Sequence, residues 1–167
     1  MRMNPVNHTG PDRLRQQDTI FMQEAIAMAG SAEREGEVPV GAIVVSADGV
    51  ILAKAWNRTI ALSDPCAHAE ILALRQAGKH LENYRLLNTT LYVTVEPCVM
   101  CMGAVVHARL KRVVFGVHDP KWGAAGSLFD FSEKGTFNHV VEVTPGVCET
   151  ECRQLLVDFF RQKREKR

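Results

Sequence analysis

Along residues 18–34, apolar side chains recur every three or four positions, which is the spacing of one helix face. The pattern therefore predicts a helix that begins at Asp18, a good N-cap residue, and continues to about Arg34. Gly36 is expected to end this helix, because glycine readily adopts the conformation that closes helices. The apolar face consists of Phe21, Ala25, Met28, Ala29 and Ala32.

Three further helices are predicted from helix-forming residues and from residues that start or stop helices. Pro97 suits a helix start, where its missing N–H costs nothing, and Gly78 suits a helix end. The predicted ranges are residues 67–77, residues 97 to about 108, and residue 149 to the C-terminus.

Five segments have the β-branched, aromatic or alternating pattern of strands. Ala47-Asp48-Gly49 is a typical turn and predicts that the first two strands form a hairpin. Residues 57–66 and 123–126 are predicted loops, and a helical turn is expected near residues 127–131. The predicted strands are residues 40–46, 50–56, 90–95, 112–117 and 140–143.

A hairpin followed by alternating helices and strands predicts an α/β domain with one mixed sheet and helices on both faces. Residues 18–167 would form this single domain, and the polar residues 1–17 would be a flexible leader. No apolar run is long enough for a membrane span, and residues 1–17 lack the apolar core of a secretory signal. Sheets of this kind bind ligands at the carboxyl ends of their strands.

Positive charge is concentrated at the two ends of the chain. The 167 residues have a formal net charge of +1, but residues 161–167 carry five basic side chains and one acidic one. Such a tail can bind a polyanion, although cations are also favoured at the end of any helix. Five cysteines, two of them in a C-x-x-C, indicate a reducing compartment and a metal or redox role rather than a disulfide scaffold.

Two short motifs supply the residues of a metal site. His68-Ala69-Glu70 and Pro97-Cys98-Val99-Met100-Cys101 are both predicted to open helices at the same edge of the sheet. Cys98 and Cys101 fall on one side of a first helical turn, and an imidazole from His68 is a third ligand that zinc accepts. Three protein ligands leave the fourth position of a tetrahedral zinc ion for water, which is the arrangement of catalytic zinc.

Glu70 lies two residues from a ligand and is placed to exchange protons with that water rather than to bind the metal. Three other interpretations stay open at this point. The C-x-x-C alone could be a redox pair, and Cys148 with Cys152 could bind a metal or simply be buried. A structural zinc would need a fourth ligand, for which the candidates are Cys66, His107, Cys148 and Cys152.

The H-x-E and P-C-x-x-C pair is the known signature of zinc deaminases that act on nucleobases. The sequence resembles the cytidine deaminase-like superfamily and, more narrowly, the bacterial tRNA-specific adenosine deaminases, over about residues 20–165. The segments that carry the resemblance are EVPVGAIVV (37–45), WNR (56–58), DPCAHAEILALRQAGK (64–79), NYRLLNTTLYVTVEPCVMCMGAVVHAR (83–109), RVVFGVHDPKWGAAGSL (112–128) and LLVDFFRQKR (155–164).

The resemblance implies a three-layer α/β/α sandwich, one Zn²⁺ per subunit, a homodimer and a cytoplasmic location. It implies hydrolysis of adenosine to inosine at the wobble position of the tRNA anticodon, with attack of zinc-bound hydroxide at C6 and Glu70 as the proton shuttle. Asn57 would contact the base or its ribose, and Asp119 and Lys121 would touch neighbouring nucleotides. The residues expected to contact the tRNA anticodon stem-loop through its backbone are Phe160, Arg161, Lys163 and Arg164.

The chain departs from the expected pattern at two positions near the site. Cys66 stands where threonine is expected, and His118 stands where arginine is expected. Trp56 and Trp122 could each stack on a base; Trp56 is expected in the core, and Trp122 is equally compatible with both roles.

Two rival functions remain from the sequence alone. A deaminase of a free base or nucleoside would share the zinc chemistry but would not need the basic C-terminal helix or the loop of residues 118–126. A catalytically silent zinc module that binds RNA would have no use for Glu70.

Overall fold

A computed structural model describes residues 10–166 and contains the predicted four helices and five strands. In chain order they are α1 (Gly10–Arg34), β1 (Gly41–Val45), β2 (Ile51–Trp56), α2 (Ala69–His80), β3 (Thr90–Val95), α3 (Val99–His107), β4 (Arg112–Val117), β5 (Glu142–Thr144) and α4 (Glu149–Glu165). Within the described part of the chain, no helix has the length and apolar character needed to cross a membrane.

The five strands form one mixed sheet with the order β2-β1-β3-β4-β5, which confirms the predicted fold class. β1 is antiparallel to both β2 and β3, whereas β3, β4 and β5 run parallel to one another. Parallel neighbours bring the carboxyl ends of β3 and β4 to the same edge of the sheet. The loops that follow these two strands therefore meet there.

Alternate residues of the central strands face opposite helical layers, as the pleat of a strand requires. Val44, Val93 and Phe115 pack in a core with α2 and α3. Ile43 and Tyr92 instead pack in a second core that receives buried side chains from α1 and α4. The molecule is thus the three-layer α/β/α sandwich that the resemblance implies.

Glycine allows two helices to approach the sheet closely. A Cβ atom added at Gly41 would lie 2.0 Å from the carbonyl oxygen of Ala25 in α1. At Gly116 it would lie 2.4 Å from Sγ of Cys152 in α4. Both distances are far below van der Waals contact, so a larger residue at either position would push its helix away from the sheet.

The start of α1 differs from the prediction. The helix already begins at Gly10, so the expected flexible leader is helical over residues 10–17, and residues 1–9 lie outside the described part of the chain. Residues 10–17 are exposed and have no apolar periodicity to reveal a helix. Pro11 and Asp12 in the first turn are compatible with a helix start.

Asp18 is therefore not the N-cap of α1 but a buried residue within it, 3 % exposed. Arg112 donates two hydrogen bonds to its carboxylate, of 2.8 and 2.7 Å, and the Tyr92 hydroxyl donates a third of 2.9 Å. Arg112 also donates to Oγ1 of Thr144. This network joins α1 to β3, β4 and β5.

Other elements also differ from their predicted bounds. α2 starts at Ala69, two residues later than predicted, and continues through Gly78 to His80. β5 is shifted to Glu142–Thr144, where it pairs with the first residues of β4. The helical turn expected near residues 127–131 is wrong; Ala125 instead forms an isolated antiparallel bridge with Asp130.

Candidate metal centre and its cleft

Among residues 10–166, one group of three metal-binding side chains lies close enough to hold an ion, and it consists of His68, Cys98 and Cys101. Nδ1 of His68 is 3.8 Å from Sγ of Cys98 and 3.6 Å from Sγ of Cys101. A tetrahedral zinc ion with ordinary Zn–S and Zn–N bonds requires ligand-to-ligand distances of about 3.6 Å. The three donors therefore fit zinc in spacing as well as in chemical type.

The sequence places these ligands through two helix starts at one sheet edge. Cys98 is the N-cap of α3, just after β3 ends, and His68 is the N-cap of α2. Neither residue caps its helix with its own side chain. In the first turn of α3, the thiol and the backbone N–H of Cys101 both donate to Cys98 and lower the pKa of Cys98, which favours thiolate.

Asn57 supplies the cap that His68 does not. Its Oδ1 accepts a 2.9 Å hydrogen bond from the backbone N–H of Ala69, and the residue is 9 % exposed. The amide thus fixes the first turn of α2, and with it the direction of Glu70. Asn57 therefore both caps α2 and lines the cleft that leads to the ligands.

Glu70 is buried beside the ligands and is 4 % exposed. Its Oε2 has no hydrogen-bond partner among the residues that the structure describes. Burial raises its pKa to about 7, against the opposing effects of a backbone hydrogen bond and of His68. A carboxyl group of this kind can hold or release a proton at neutral pH, as a general acid–base group must.

The pKa values of the two thiols shift in opposite directions. A hydrogen bond from Cys101 lowers the pKa of Cys98 to about 4, despite partial burial. The pKa of Cys101 is raised, because this thiol donates to Cys98 and is itself buried. The hydrogen bond between His68 and Cys98 also raises the pKa of the imidazole. A bound cation would favour thiolate at both cysteines.

An open cleft of about 780 Å³ leads to the ligands and to Glu70. Its lining is mainly apolar, and the buried Asn57 and Glu70 are among its polar groups. Besides Asn57, His68, Glu70 and Cys98, it is lined by Val40, Pro65, Val95, Glu96, Val99, Met100, Asp119, Lys121, Trp122, Leu128 and Phe129. This combination of an apolar wall with a few convergent polar groups is typical of small-molecule and nucleobase sites.

Glu96 is a key residue of the cleft that sequence reasoning missed. Its side chain is fully buried and accepts hydrogen bonds from several groups of the loop that follows β4. The donors are the backbone N–H groups of Asp119, Ala125 and Ser127, the hydroxyl of Ser127 and the His118 ring. The sequence did contain one signal for this role, because Glu96 lies between a buried strand and Pro97-Cys98. A buried carboxylate needs several hydrogen-bond donors around it.

Asp119 and Lys121 both line the cleft, while their contact with neighbouring nucleotides stays a prediction. Oδ1 of Asp119 accepts hydrogen bonds from the backbone N–H groups of Lys121 and Trp122, at 2.9 and 3.2 Å. Asp119 therefore shapes the loop in addition to facing the cleft. Lys121 is exposed.

The predicted contact residues of α4 lie beside a second groove, of about 440 Å³. Phe160, Lys163 and Arg164 line it together with the turn after α1 and residues 59–60. Arg161 is paired with Asp158 on the helix surface at 2.8 Å. Val38 and Thr59 in this groove are two residues from Val40 and Asn57 in the cleft, so the two depressions adjoin along the same segments.

The structural-zinc alternative finds no fourth ligand among residues 10–166. Cys66 is exposed, and its N–H is bound by Asp64. Cys148 and Cys152 lie at the start of α4, where Cys152 is buried against β4. His107 is at the other end of α3 from the ligands. Within residues 10–166, none of these side chains joins the three ligands.

Comparisons with known proteins agree with this geometry. The family described as the cytidine and deoxycytidylate deaminase zinc-binding region matches residues 15–117, which include all three candidate ligands and Glu70. The chain is 51 % identical over 150 residues to the tRNA-specific adenosine deaminase of Haemophilus influenzae strain Rd, covering 90 % of this chain and 87 % of that protein.

A second relative, the tRNA-specific adenosine deaminase of Bacillus subtilis strain 168, is 48 % identical over 151 residues. The match covers 90 % of this chain and 93 % of that protein. A solved structure from a study of A-to-I editing by tRNA:A34 deaminases at the wobble position has a TM-score of 0.79 and 43 % identity. The match covers 83 % of this chain and 99 % of that structure.

Proposed function

Because this chain belongs to the tRNA-specific adenosine deaminases of the cytidine and deoxycytidylate deaminase family, we propose that it hydrolyses adenosine to inosine at the wobble position of the tRNA anticodon. One observation carries the chemistry. The buried Oε2 of Glu70, which has no hydrogen-bond partner within residues 10–166, lies beside a three-ligand set in an open cleft.

We assign one zinc ion per chain to His68, Cys98 and Cys101, whose donor atoms have the spacing of tetrahedral ligands. When bound, zinc supplies Lewis-acid activation of water near neutral pH. Glu70 accepts the proton of the water that attacks C6 of adenine. It delivers this proton to N1, then takes the proton of the hydroxyl now on C6 and passes it to the departing amine, so that ammonia leaves and inosine remains. Its raised pKa matches this exchange.

We assign the remaining polar groups of the cleft to the substrate. Asn57 holds the first turn of α2 and contacts the base or its ribose. Asp119 and Lys121 at the rim contact neighbouring nucleotides, because a base inserted into the cleft brings its neighbours to the rim. The adjoining groove supports this path for an RNA strand.

The basic end of α4 is assigned to the RNA backbone. Lys163 and Arg164 line the adjoining groove, and Phe160 exposes 46 % of its surface there. Arg161 lies on the same exposed helix end. Basic side chains beside an exposed aromatic ring are typical of surfaces that bind single-stranded nucleic acid.

The proposed homodimer has a candidate surface on the outer side of α2 and α3. A shallow groove of about 610 Å³ there is lined by residues of both helices and by Tyr84. Tyr84 is 71 % exposed and Leu81 is 41 % exposed. Exposed apolar groups of this kind are typical of interfaces. A cytoplasmic location agrees with five free cysteines, which a reducing compartment maintains.

The experiment that tests the function is a deamination assay with purified protein. A tRNA with adenosine at the wobble position is incubated, digested and analysed for inosine by chromatography, with free adenosine, cytidine and guanine in parallel. The Glu70→Ala protein serves as the blank. We expect inosine in the tRNA alone. Turnover of only a free base or nucleoside would overturn the tRNA assignment while keeping the zinc chemistry.

A further inference from the structure

Trp122 is the most exposed large apolar side chain of the cleft. It is 69 % exposed, although burying a tryptophan is strongly favourable. Leu128 and Phe129, at 51 and 52 % exposed, line the same cleft. Three large apolar groups thus face solvent at the entrance to a site whose floor is buried.

The backbone that carries Trp122 is fixed rather than loose. Oδ1 of Asp119 accepts the N–H of Trp122, and the Asp119 carbonyl accepts the N–H of Gly123 at 2.8 Å. Gly123 bridges to Cys98, so the loop is attached to the start of the metal-binding helix. A Cβ atom at Gly123 would lie 2.4 Å from Glu96, so glycine is needed for this close approach.

The indole ring itself is not engaged in this arrangement. Among residues 10–166, no ring pair and no cation–π contact includes Trp122. A fixed backbone with an uncommitted aromatic face is a preorganised surface for stacking. Single-stranded RNA offers flat, unstacked bases that bind such surfaces.

We propose that Trp122 stacks on the base of a nucleotide adjacent to the one that is deaminated. This inference rests on the proposed function. The target base must reach Glu70, which is 4 % exposed at the floor of the cleft, whereas Trp122 stands at the rim. Trp122 is therefore placed for a neighbouring base that stays outside the floor. The stack holds the RNA strand while the target base is inserted.

The test is a double-mutant cycle between the protein and the RNA. The affinity of an anticodon stem-loop is measured for the unaltered protein and for Trp122→Ala, with intact RNA and with RNA abasic at either nucleotide flanking the target. We expect Trp122→Ala to weaken binding about 5- to 150-fold with intact RNA. With one flanking base absent, the same substitution should have little further effect.

Two variants serve as controls. Trp122→Phe keeps an aromatic face and should retain most of the affinity. Val50→Ala removes another exposed apolar side chain, 51 % exposed in the turn between β1 and β2, and should bind like the unaltered protein. The proposal would be overturned if the losses in affinity from Trp122→Ala and from the abasic nucleotide are additive at both flanking positions. It would also be overturned if Trp122→Ala changes the oligomeric state and this change accounts for the weaker binding.

Fluorescence gives an independent readout, because the chain has two tryptophans. In Trp56→Phe, Trp122 is the remaining indole, and the stem-loop should quench its emission with the same dissociation constant as binding. Absence of quenching on saturated binding would contradict the stack. If the unaltered protein forms inosine in the stem-loop but the double-mutant cycle shows no coupling, only the proposal for Trp122 is wrong. If the unaltered protein forms no inosine, the proposed function is wrong.

Discussion

At the scale of single residues, two buried carboxylates near the metal ligands have opposite environments. Burial raises the pKa of Glu96, but hydrogen bonds from the Ser127 hydroxyl and from three backbone N–H groups outweigh burial and lower it. In the part of the chain that the structure describes, no such donor reaches Oε2 of Glu70, and burial raises its pKa to about 7. The first group is therefore a fixed anion that organises a loop, and the second can exchange a proton.

The role of Glu70 predicts a clean separation of metal binding from activity. Glu70→Gln keeps the shape of the side chain but removes its ability to accept the proton, so the rate of deamination should fall at least about 100-fold. Zinc content, measured on the purified protein by elemental analysis, should stay at one ion per chain. In the control Cys98→Ser, which loses a thiolate ligand, zinc content should fall. A Glu70→Gln protein that still deaminates at the unaltered rate would exclude the proton shuttle.

Tyr92 predicts an alkaline limit to stability. Burial and the hydrogen bond that its phenol donates to Asp18 raise its pKa above the ordinary value of 10.0. Below about pH 10 the phenol is protonated in both the folded and the unfolded chain, so its contribution is fully present. Above that pH the unfolded chain releases the proton first, and the free energy of unfolding should fall as pH rises towards the folded pKa.

Denaturant unfolding between about pH 9 and pH 11 measures this effect. The unaltered protein should lose about 1 kcal/mol more than Tyr92→Phe over this interval, because phenylalanine has no proton to release. Equal losses in the two proteins would show that the phenol does not titrate differently on unfolding.

At the scale of elements, the network around Asp18 joins α1 to the sheet. The side chains of Asp18 and Arg112 are 4 and 12 % exposed, so removal of one charge leaves the other buried without its partner. Asp18→Asn should therefore lower the free energy of unfolding by about 3–5 kcal/mol. Glu24→Gln is the matched control: its exposed ion pair with Lys54 should contribute less than about 1 kcal/mol. Equal effects would contradict a special role for the buried pair.

Close packing of α4 on β4 depends on Gly116. In Gly116→Ala the new methyl group would meet Cys152 and the carbonyl oxygen of Thr94, so the helix must shift, at a cost of about 1–3 kcal/mol in unfolding free energy. Gly30→Ala has only a flexible arginine nitrogen, at 3.5 Å, near the new atom and should stabilise α1 by about 0.5–1 kcal/mol. Thermal unfolding of both variants distinguishes packing from a general effect of alanine.

The sequence predicted elements well where periodicity and end signals coincided. β4 has its predicted bounds, and β3 does as well, because each is a buried run of β-branched and aromatic residues. β5 was misplaced because it has three residues and its position depends on pairing with Arg112–Val114. The helical turn predicted after Gly126 is wrong because hydrogen bonds to Glu96, which is distant in sequence, determine the conformation of that loop. The local sequence does not reveal these contacts.

At the scale of the whole molecule, the adjoining cleft and groove predict that binding and chemistry can be altered separately. Neutralising Lys163 and Arg164 to glutamine should weaken tRNA binding and reduce the slope of log affinity against log salt by about 0.7 for each lost phosphate contact. The rate at saturating tRNA should change little, because neither residue lines the cleft of Glu70. An unchanged salt slope would show that these side chains do not contact phosphate.

The spacing of the two motifs was sufficient to predict which residues come together in the metal centre. His68, Cys98 and Cys101 converge as expected because two helices start at the same sheet edge. The sequence could not predict that Asn57 both caps α2 and lines the cleft, because its hydrogen bond with Ala69 depends on how β2 packs against α2. Glu96 was missed for a similar reason, since its donors come from residues 118–127.

The segments that position the ligands are far apart in sequence, and this separation has a consequence for the order of folding. Asn57 follows β2, and the cysteine ligands follow β3, which pairs with β1 between residues as distant as Ala42 and Val93. Pairings this far apart in sequence form slowly and only after large loops close. We expect zinc to bind after the sheet has assembled, so that metal uptake marks a correctly folded chain and a misassembled one stays without metal.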